Sequence, residues 1–224
     1  MAYRYAALLC LLGLTACHRA SNIAFPANGG RPLAPGTHRR ALVHQGRDRS
    51  YLVHLPPQAD AGATLPVVVN FHGGGGNARG QRDYSRMDQL ADEAGFVVVY
   101  PEGTGRLDGF LLTWNAGSCC GYAADHDIDD VGFIRAVLAD LSSVARVDER
   151  RVYATGLSNG AMMAYRLAAE APDLVAAIAP VAGAAPIEPV PDMRAVGVLH
   201  IHSQDDPRAL YAGGLGPPFP LSTR

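Results

Sequence analysis

Cysteine is scarce in this sequence, and its spacing argues against a metal site. The 224 residues contain four cysteines, namely Cys10, Cys17, Cys119 and Cys120. None lies in a CxxC pair with companion histidines, the usual arrangement of structural zinc ligands. The sequence therefore predicts no metal and no cofactor. In an oxidising compartment Cys119 and Cys120 could instead form a vicinal disulfide, or one of them could bridge to a cysteine outside this chain.

Clusters of basic residues, internal repeats and low-complexity tracts are also absent. The formal net charge is −2, and 48% of the residues are hydrophobic. Without a basic patch, the sequence gives no indication of nucleic-acid binding. A chain of this length and composition can bury one sizeable core, so we expect a single globular domain.

No long hydrophobic run occurs at the N-terminus, where the apolar stretch over residues 6–16 is too short to span a bilayer. It follows Arg4 and precedes Cys17, an order typical of an export signal. The sequence LTAC that ends at Cys17 resembles a bacterial lipobox, in which this cysteine would be lipidated. The protein would then be exported to the periplasm or beyond and held at a membrane only through lipid; an ordinary secretory signal is the alternative. The expected organisation is an export signal over 1–17, a flexible tether over 18–35 and a globular domain over 36–224.

Segments with strand character alternate with segments of helical spacing along the rest of the chain. An antiparallel hairpin is predicted at the start, over 39–43 and 49–55. Further strands are predicted at 65–71, 96–100, 152–155, 174–181 and 196–202, and helices at 84–94, 127–145 and about 161–171. This alternation predicts an α/β fold with a mostly parallel sheet and helices on both faces.

The pentapeptide GLSNG, residues 156–160, lies between a β-branched run and an apolar helical stretch. A strand, a sharp turn and a helix form the context that a nucleophilic serine needs, and the flanking glycines would serve the strained backbone. We therefore predict that Ser158 is a nucleophile. The alternative is that its hydroxyl caps the following helix.

A run of glycines, HGGGG beginning at His72, directly follows the strand predicted at 65–71. A phosphate-binding loop would be followed by Gly-Lys-Ser/Thr, which is not found here. We predict an oxyanion hole in which the amide of Gly74 or Gly75, joined by that of Asn159, faces the developing negative charge. His72 is expected to be structural, with hydrogen bonds inside the loop.

The acid of a serine triad is expected at the end of a later strand. The run 196–202 leads directly into Asp205 and Asp206, and we predict Asp206 as the acid, with Asp205 as its substitute and a turn-forming role as the alternative. In this architecture the histidine base follows the acid, but no histidine occurs after Asp206. His202, and less favourably His126, could substitute for it.

A long irregular segment over residues 101–126 separates a predicted strand from a predicted helix. Loops of this length usually have a function. Trp114 and Asn115 are therefore candidates for lining a substrate cleft, although a lone tryptophan is as often a core residue.

Six motifs occur together between about residues 49 and 207: HGGGGN at 72–77, YPEG at 100–103, WNAG and CCG at 114–121, DDVGF at 129–133, GLSNGAMM at 156–163, and the segment 202–207. In this combination they resemble secreted α/β-hydrolase esterases of the polyhydroxybutyrate depolymerase and feruloyl esterase type, including a lipoprotein branch. The resemblance implies an α/β-hydrolase fold and a carboxylic ester hydrolase with Ser158 as nucleophile and Asp206 as acid. The implied partners are hydroxyalkanoate esters or aryl esters of plant polysaccharide.

The segment after Asp206 differs from that family, because residues 211–220 replace the usual stretch and no final strand, catalytic histidine or closing helix fits before residue 224. The hydrolase domain over 36–224 is therefore interpreted as C-terminally shortened, with its last strand and helix missing. Loss of the base would remove much of the rate. The alternative function is a non-catalytic exported lipoprotein that keeps an ester-binding cleft, and a peptidase on the same scaffold is a third.

Overall fold

The computed structural model describes residues 31–185 and 194–213. The predicted export segment, including Cys17, and most of the predicted tether lie outside the described residues. The described end of the tether is attached to the domain, because the amide of Leu33 donates to the carbonyl of Val144 at 2.9 Å and the Leu33 side chain packs on the core. Within the described ranges, no helix combines the length and apolarity that a membrane crossing requires.

A seven-stranded sheet organises the described residues. Its strands are β1 (Gly36–His44), β2 (Arg47–Leu55), β3 (Leu65–Phe71), β4 (Val97–Pro101), β5 (Val147–Leu157), β6 (Ala177–Val181) and β7 (Gly197–Val198). Their order across the sheet is β1-β2-β4-β3-β5-β6-β7. Strands β1, β2 and β4 pair antiparallel, and every other pairing is parallel. The predicted hairpin and the mostly parallel sheet are both confirmed.

Five α-helices connect these strands in the described part of the chain: α1 (Ala78–Ser85), α2 (Met87–Ala94), α3 (Gly121–Asp125), α4 (Asp130–Val144) and α5 (Asn159–Glu170), with a short 3₁₀ helix at Pro57–Ala61. The helix predicted over 84–94 is confirmed from Met87 to Ala94 as α2, but it begins later than expected. A separate helix, α1, precedes it, and the two meet at Arg86, whose positive φ of 52° turns the backbone between them. The strand predicted over 196–202 contracts to β7 and one bridge between Ile201 and Val181.

Strand β4 shows how the sheet is covered on both faces. Its side chains alternate in direction, as in any strand. Val97 and Val99 join the main apolar cluster with α4 and α5, whereas Val98 and Tyr100 join a second cluster with α1 and α2. The continuous β-branched sequence of this strand is explained by burial on both sides.

The carboxyl ends of the parallel strands lie at one edge of the sheet. At that edge β3 leads into the glycine run, β4 leads into Glu102, and β5 leads into Ser158. Ligands of open α/β sheets bind at this edge. The fold therefore brings the motifs after β3 and β5 to the same place.

Candidate active site

Ser158 lies in a strained turn between β5 and α5. Its backbone has φ 54° and ψ −117°, a region that costs a non-glycine residue about 1–3 kcal/mol. The turn is held by a hydrogen bond from the Ser158 amide to the carbonyl of Val181 at 2.9 Å, and the Ser158 carbonyl accepts from Met162 at 3.0 Å. The side chain makes no capping hydrogen bond. The alternative that its hydroxyl caps the following helix is therefore wrong, and the hydroxyl is not engaged by the first amides of α5.

The two glycines of the pentapeptide allow a close approach of α5 to β3. A methyl group on Gly160 would lie 2.5 Å from the carbonyl oxygens of Phe71 and His72, and one on Gly156 would lie 2.6 Å from the carbonyl carbon of Gly160. Neither glycine has a positive φ. The expectation that they serve the strained backbone needs correction, because the strain lies at Ser158 itself and the glycines provide space.

The glycine run lies directly beside Ser158. A Cβ built on Gly73 would be 3.9 Å from the Ser158 Cβ. Gly75 has a φ of 83°, and its amide donates to the carbonyl of Leu112 at 2.7 Å. Gly75 is thus already engaged, whereas the Gly74 amide forms no hydrogen bond within residues 31–185 and 194–213. Of the two alternatives in the predicted oxyanion hole, only Gly74 has a free donor in this structure.

His72 is buried under the glycine run and holds two loops together. Its Nε2 accepts from the amide of Gly103 at 3.0 Å, so its Nδ1 carries the proton and donates to the carbonyl of Gly73 at 2.8 Å. Burial lowers the pKa of His72 to about 4. Both ring nitrogens are occupied and the ring stays neutral, as a structural role requires.

The side chain of Asn159 fixes the backbone of the long segment at Trp114. Its Oδ1 accepts from the Trp114 amide at 2.8 Å, and its Nδ2 donates to the Trp114 carbonyl at 3.1 Å. The indole of Trp114 is fully buried and donates to the carbonyl of His72 at 2.9 Å. The prediction that Trp114 lines a cleft is therefore wrong, because this residue is a core element that joins three site segments.

Asn115 is also buried, and it too does not line a cleft. Its amide donates to the Oδ2 of Asp130 at 2.8 Å, and its side chain donates to Asp127 at 3.2 Å. Asp130 in turn pairs with Arg49 at 2.8 Å, and both side chains are almost completely buried. The sequence does not reveal this ion pair, because its partners are 81 residues apart.

The cysteine pair lies next to the same segment. Cys119 and Cys120 are joined in a disulfide, and the amide of Cys120 donates to the carbonyl of Trp114 at 3.2 Å. The pair immediately precedes α3. No group of three His, Cys, Asp or Glu side chains in the described ranges could hold a metal ion.

Asp206 lies on a turn that follows the bridge between Ile201 and Val181. Because β5 pairs with β6 and Val181 of β6 bridges to Ile201, the turn that carries Asp206 follows the same edge of the sheet as Ser158. Its Oδ1 accepts from the amides of Arg208 at 2.8 Å and Ala209 at 3.0 Å. These two amides lower the pKa of Asp206. Asp205, by contrast, is exposed.

The described histidines all bond to groups other than Ser158. His202 is engaged on both sides, with Nδ1 at 3.1 Å from the Nε2 of His200 and Nε2 at 2.6 Å from the carbonyl of Ala209. The Nδ1 of His126 is 2.9 Å from the carbonyl of Tyr122. Neither substitute base is in hydrogen-bond contact with Ser158 here.

The residues that form this site lie within the part of the chain that matches a known family. A family model described as "Esterase PHB depolymerase" matches residues 49–215. The chain belongs to this esterase family. Its members are carboxylic ester hydrolases, so the predicted family resemblance is confirmed.

Three curated relatives illustrate this membership. A putative esterase NocK from Nocardia uniformis subsp. tsuyamanensis is 39% identical over 189 residues, which cover 82% of this chain and 53% of that protein. Feruloyl esterase B from Piromyces equi is 30% identical over 178 residues, 75% of this chain and 31% of that protein. Poly(3-hydroxyalkanoate) depolymerase C from Paucimonas lemoignei is 32% identical over 134 residues, 58% of this chain and 30% of that protein. The chain thus spans about half of the length of the first relative and about 30% of the length of the other two.

Solved structures agree on the fold. A thermostable esterase superposes with a TM-score of 0.59 at 20% identity, over 79% of this chain and 48% of its own. Acetyl xylan esterase from Aspergillus awamori gives a TM-score of 0.50 at 22% identity, over 65% of this chain and 52% of its own. At these identities the likeness shows the fold alone, which is the expected α/β-hydrolase fold.

Proposed function

We propose that this protein is a serine carboxylic ester hydrolase that works through an acyl-enzyme on Ser158. The observation that carries the proposal is the backbone of Ser158, held at φ 54° between β5 and α5 with its hydroxyl free of any capping bond. Such strain is retained where it has a use, and here it presents a hydroxyl beside the glycine run.

In the proposed reaction the Ser158 oxygen attacks the ester carbonyl and its proton passes to a base. The amides of Gly74 and Asn159 donate to the oxyanion that forms. The Gly74 amide has no partner among the described residues, and the Asn159 amide belongs to the first residue of α5, where amides have no acceptor within the helix. The carbonyl then re-forms, the alcohol leaves with the proton, and water releases the acid from the serine. Asp206, with its lowered pKa, supplies the carboxylate that would balance a charged base. No cofactor takes part in these steps.

The proposed substrates are small esters, polyesters or polysaccharide esters. Two relatives support this proposal, because one is named a feruloyl esterase and another a poly(3-hydroxyalkanoate) depolymerase. The acyl group would accordingly be an aryl acid such as ferulate or a hydroxyalkanoate. The shape of the cleft decides between these two classes.

A fluorophosphonate probe tests the proposal, because it modifies only an activated serine. We expect rapid labelling of the protein, none in Ser158→Ala and unchanged labelling in Ser118→Ala, which removes an exposed serine elsewhere. Hydrolysis of a nitrophenyl ferulate and of a hydroxybutyrate oligomer, measured side by side, then assigns the substrate class. Labelling that persists in Ser158→Ala would contradict the assignment of the nucleophile.

The second candidate is an exported lipoprotein that keeps an ester-binding cleft without catalysis. The observation that favours it is that no histidine of the described ranges bonds to Ser158. No reaction with the probe, under conditions that label a known esterase, would support this candidate. Lipid attachment at Cys17 belongs to both candidates, and radiolabelled palmitate incorporation that Cys17→Ser abolishes is the expected result.

A further inference from the structure

A chain of side-chain hydrogen bonds connects helix α5 with the turn that carries Asp206. The hydroxyl of Tyr165 is 2.7 Å from the Nδ1 of His200, and the Nε2 of His200 is 3.1 Å from the Nδ1 of His202. The Nε2 of His202 is 2.6 Å from the carbonyl oxygen of Ala209. Three bonds therefore join two elements that the sheet alone does not hold together.

The carbonyl of Ala209, at the end of this hydrogen-bonded series, determines which atom donates and which accepts in each bond. A carbonyl oxygen can only accept, so the Nε2 of His202 carries a proton and donates to Ala209. In a neutral ring the Nδ1 of His202 must then accept from the Nε2 of His200. The Nδ1 of His200 accepts in turn from the hydroxyl of Tyr165. Each neutral imidazole is thus held in its Nε2-protonated form.

Asp206 lies at the end of the chain. Its Oδ2 is 3.3 Å from the Nε2 of His202, while its Oδ1 accepts from the amides of Arg208 and Ala209. The His202 side chain is only 5% exposed and stacks on His200 at 5.0 Å between ring centroids. His202 is therefore largely buried in the turn, and its Nε2 contacts both the carboxylate of Asp206 and the carbonyl oxygen of Ala209.

Tyr165 lies seven residues, or about two helical turns, after Ser158 on the same rigid helix. We propose that Tyr165, His200 and His202 are positioning residues that tie the Asp206 turn to α5, the helix that directly follows Ser158, so that one element sets the place of nucleophile and acid. The proposal rests on the proposed function for the role of Asp206. The hydrogen-bonded chain itself is independent of turnover.

Nitrogen-15 NMR of the histidine rings, which distinguishes the two neutral tautomers, tests whether this hydrogen-bonded chain exists. We expect His200 and His202 to be protonated on Nε2 in the wild-type protein. Tyr165→Phe should change the tautomer ratio of His200, whereas Tyr153→Phe, a matched change on β5, should not. A His202 ring protonated on Nδ1, or equal spectra for the two tyrosine variants, would overturn the proposal.

Amide hydrogen exchange gives a second measurement on the turn. Loss of one bond of the chain in Tyr165→Phe should speed exchange at Arg208 and Ala209 by about threefold to tenfold, with the amides of β5 unchanged. His202→Leu should do the same, and His202→Gln should restore protection, because an amide can donate to Ala209 and accept from His200. Unaltered exchange in both Tyr165→Phe and His202→Leu would overturn the proposal.

Ester hydrolysis separates the positioning role from a purely structural one. If these residues act only by positioning Asp206, Tyr165→Phe should lower kcat several-fold with KM unchanged. A change in KM alone would count against the positioning role. Complete absence of turnover in the wild-type protein would refute the proposed function. The NMR and exchange results would still show whether the hydrogen bonds from Tyr165 to Ala209 exist.

Discussion

Replacing Gly160 by alanine tests whether the close contact of α5 with the end of β3 sets the position of Ser158. The added methyl group would lie 2.5 Å from the carbonyl oxygens of Phe71 and His72. An ordinary carbon–oxygen contact is about 3.3 Å or longer, so the helix or the strand must move by about 0.8 Å. Both oxygens belong to the backbone, and no side-chain rotation can relieve the overlap.

Two opposing terms decide the effect of this substitution on stability. Overpacking costs about 1–3 kcal/mol, and the gain of about 0.5–1 kcal/mol for alanine over glycine in a helix offsets part of it. We expect Gly160→Ala to lower the free energy of unfolding by about 1–2 kcal/mol. A misplacement of about 1 Å costs roughly 100-fold in rate, so Ser158 should react with a fluorophosphonate about 10–100 times more slowly.

Gly80→Ala is the matched control, because this glycine also lies in the first turn of a helix. Its added methyl group would be 3.3 Å from the Oδ1 of Asn77, a contact that a small side-chain shift relieves. Urea unfolding followed by fluorescence of the single tryptophan measures stability, and the labelling rate measures the site. If Gly160→Ala matches Gly80→Ala in both measurements, the contact does not position the serine.

Three further predictions concern buried polar groups. Asp130→Ala leaves the buried guanidinium of Arg49 unpaired and should lower the free energy of unfolding by about 3–5 kcal/mol. Asp173→Ala breaks an exposed ion pair and should cost less than about 1 kcal/mol. Equal shifts of the urea midpoint in the two variants would contradict this prediction. Asn159→Ala leaves the Trp114 amide without a partner and removes one of the two hydrogen bonds to the Trp114 carbonyl, so it should cost about 1–3 kcal/mol and change the near-UV circular dichroism of the indole. An unchanged indole spectrum would show that Asn159 does not hold Trp114 in place. Burial lowers the pKa of His72 to about 4, against about 6.5 in the unfolded chain. The contribution of the neutral ring to the free energy of unfolding is therefore complete above about pH 6.5. It is lost as the pH falls to about 4, by up to about 3 kcal/mol. Its ring resonances should stay those of a neutral imidazole down to about pH 4.5, and a midpoint near 6.5 would refute the assignment.

Much of the fold could be predicted because its signals are local. The β-branched sequence of β3 and β4, and the apolar periodicity of α4, indicate their own secondary structure. The break at Arg86 escaped prediction, because α1 is mostly polar and carries no apolar spacing that would set it apart from α2. The short extent of β7 also escaped, since it depends on pairing with β6, a segment distant in sequence, to which Leu199 and Ile201 still donate beyond the strand itself.

In the candidate site, too, only the residues whose signals are local in sequence could be predicted. Ser158 stood out by its neighbours in sequence, whereas Trp114 was ambiguous until its surroundings were known. The choice between Gly74 and Gly75 depended on whether Leu112 takes up an amide. His200 had no distinguishing signal, because its partner Tyr165 is 35 residues away.

The sequence by itself determined that a serine turn follows one strand, that a glycine run follows another, and that strands and helices alternate, because each of these depends on residues a few positions apart. The tertiary structure alone decided which amides remain free at the turn, which polar groups are buried in pairs, and that the turn carrying Asp206 is hydrogen-bonded to the helix that follows Ser158. Those features depend on contacts between segments distant along the chain, and only the packing of the sheet and its helices brings them within hydrogen-bonding distance.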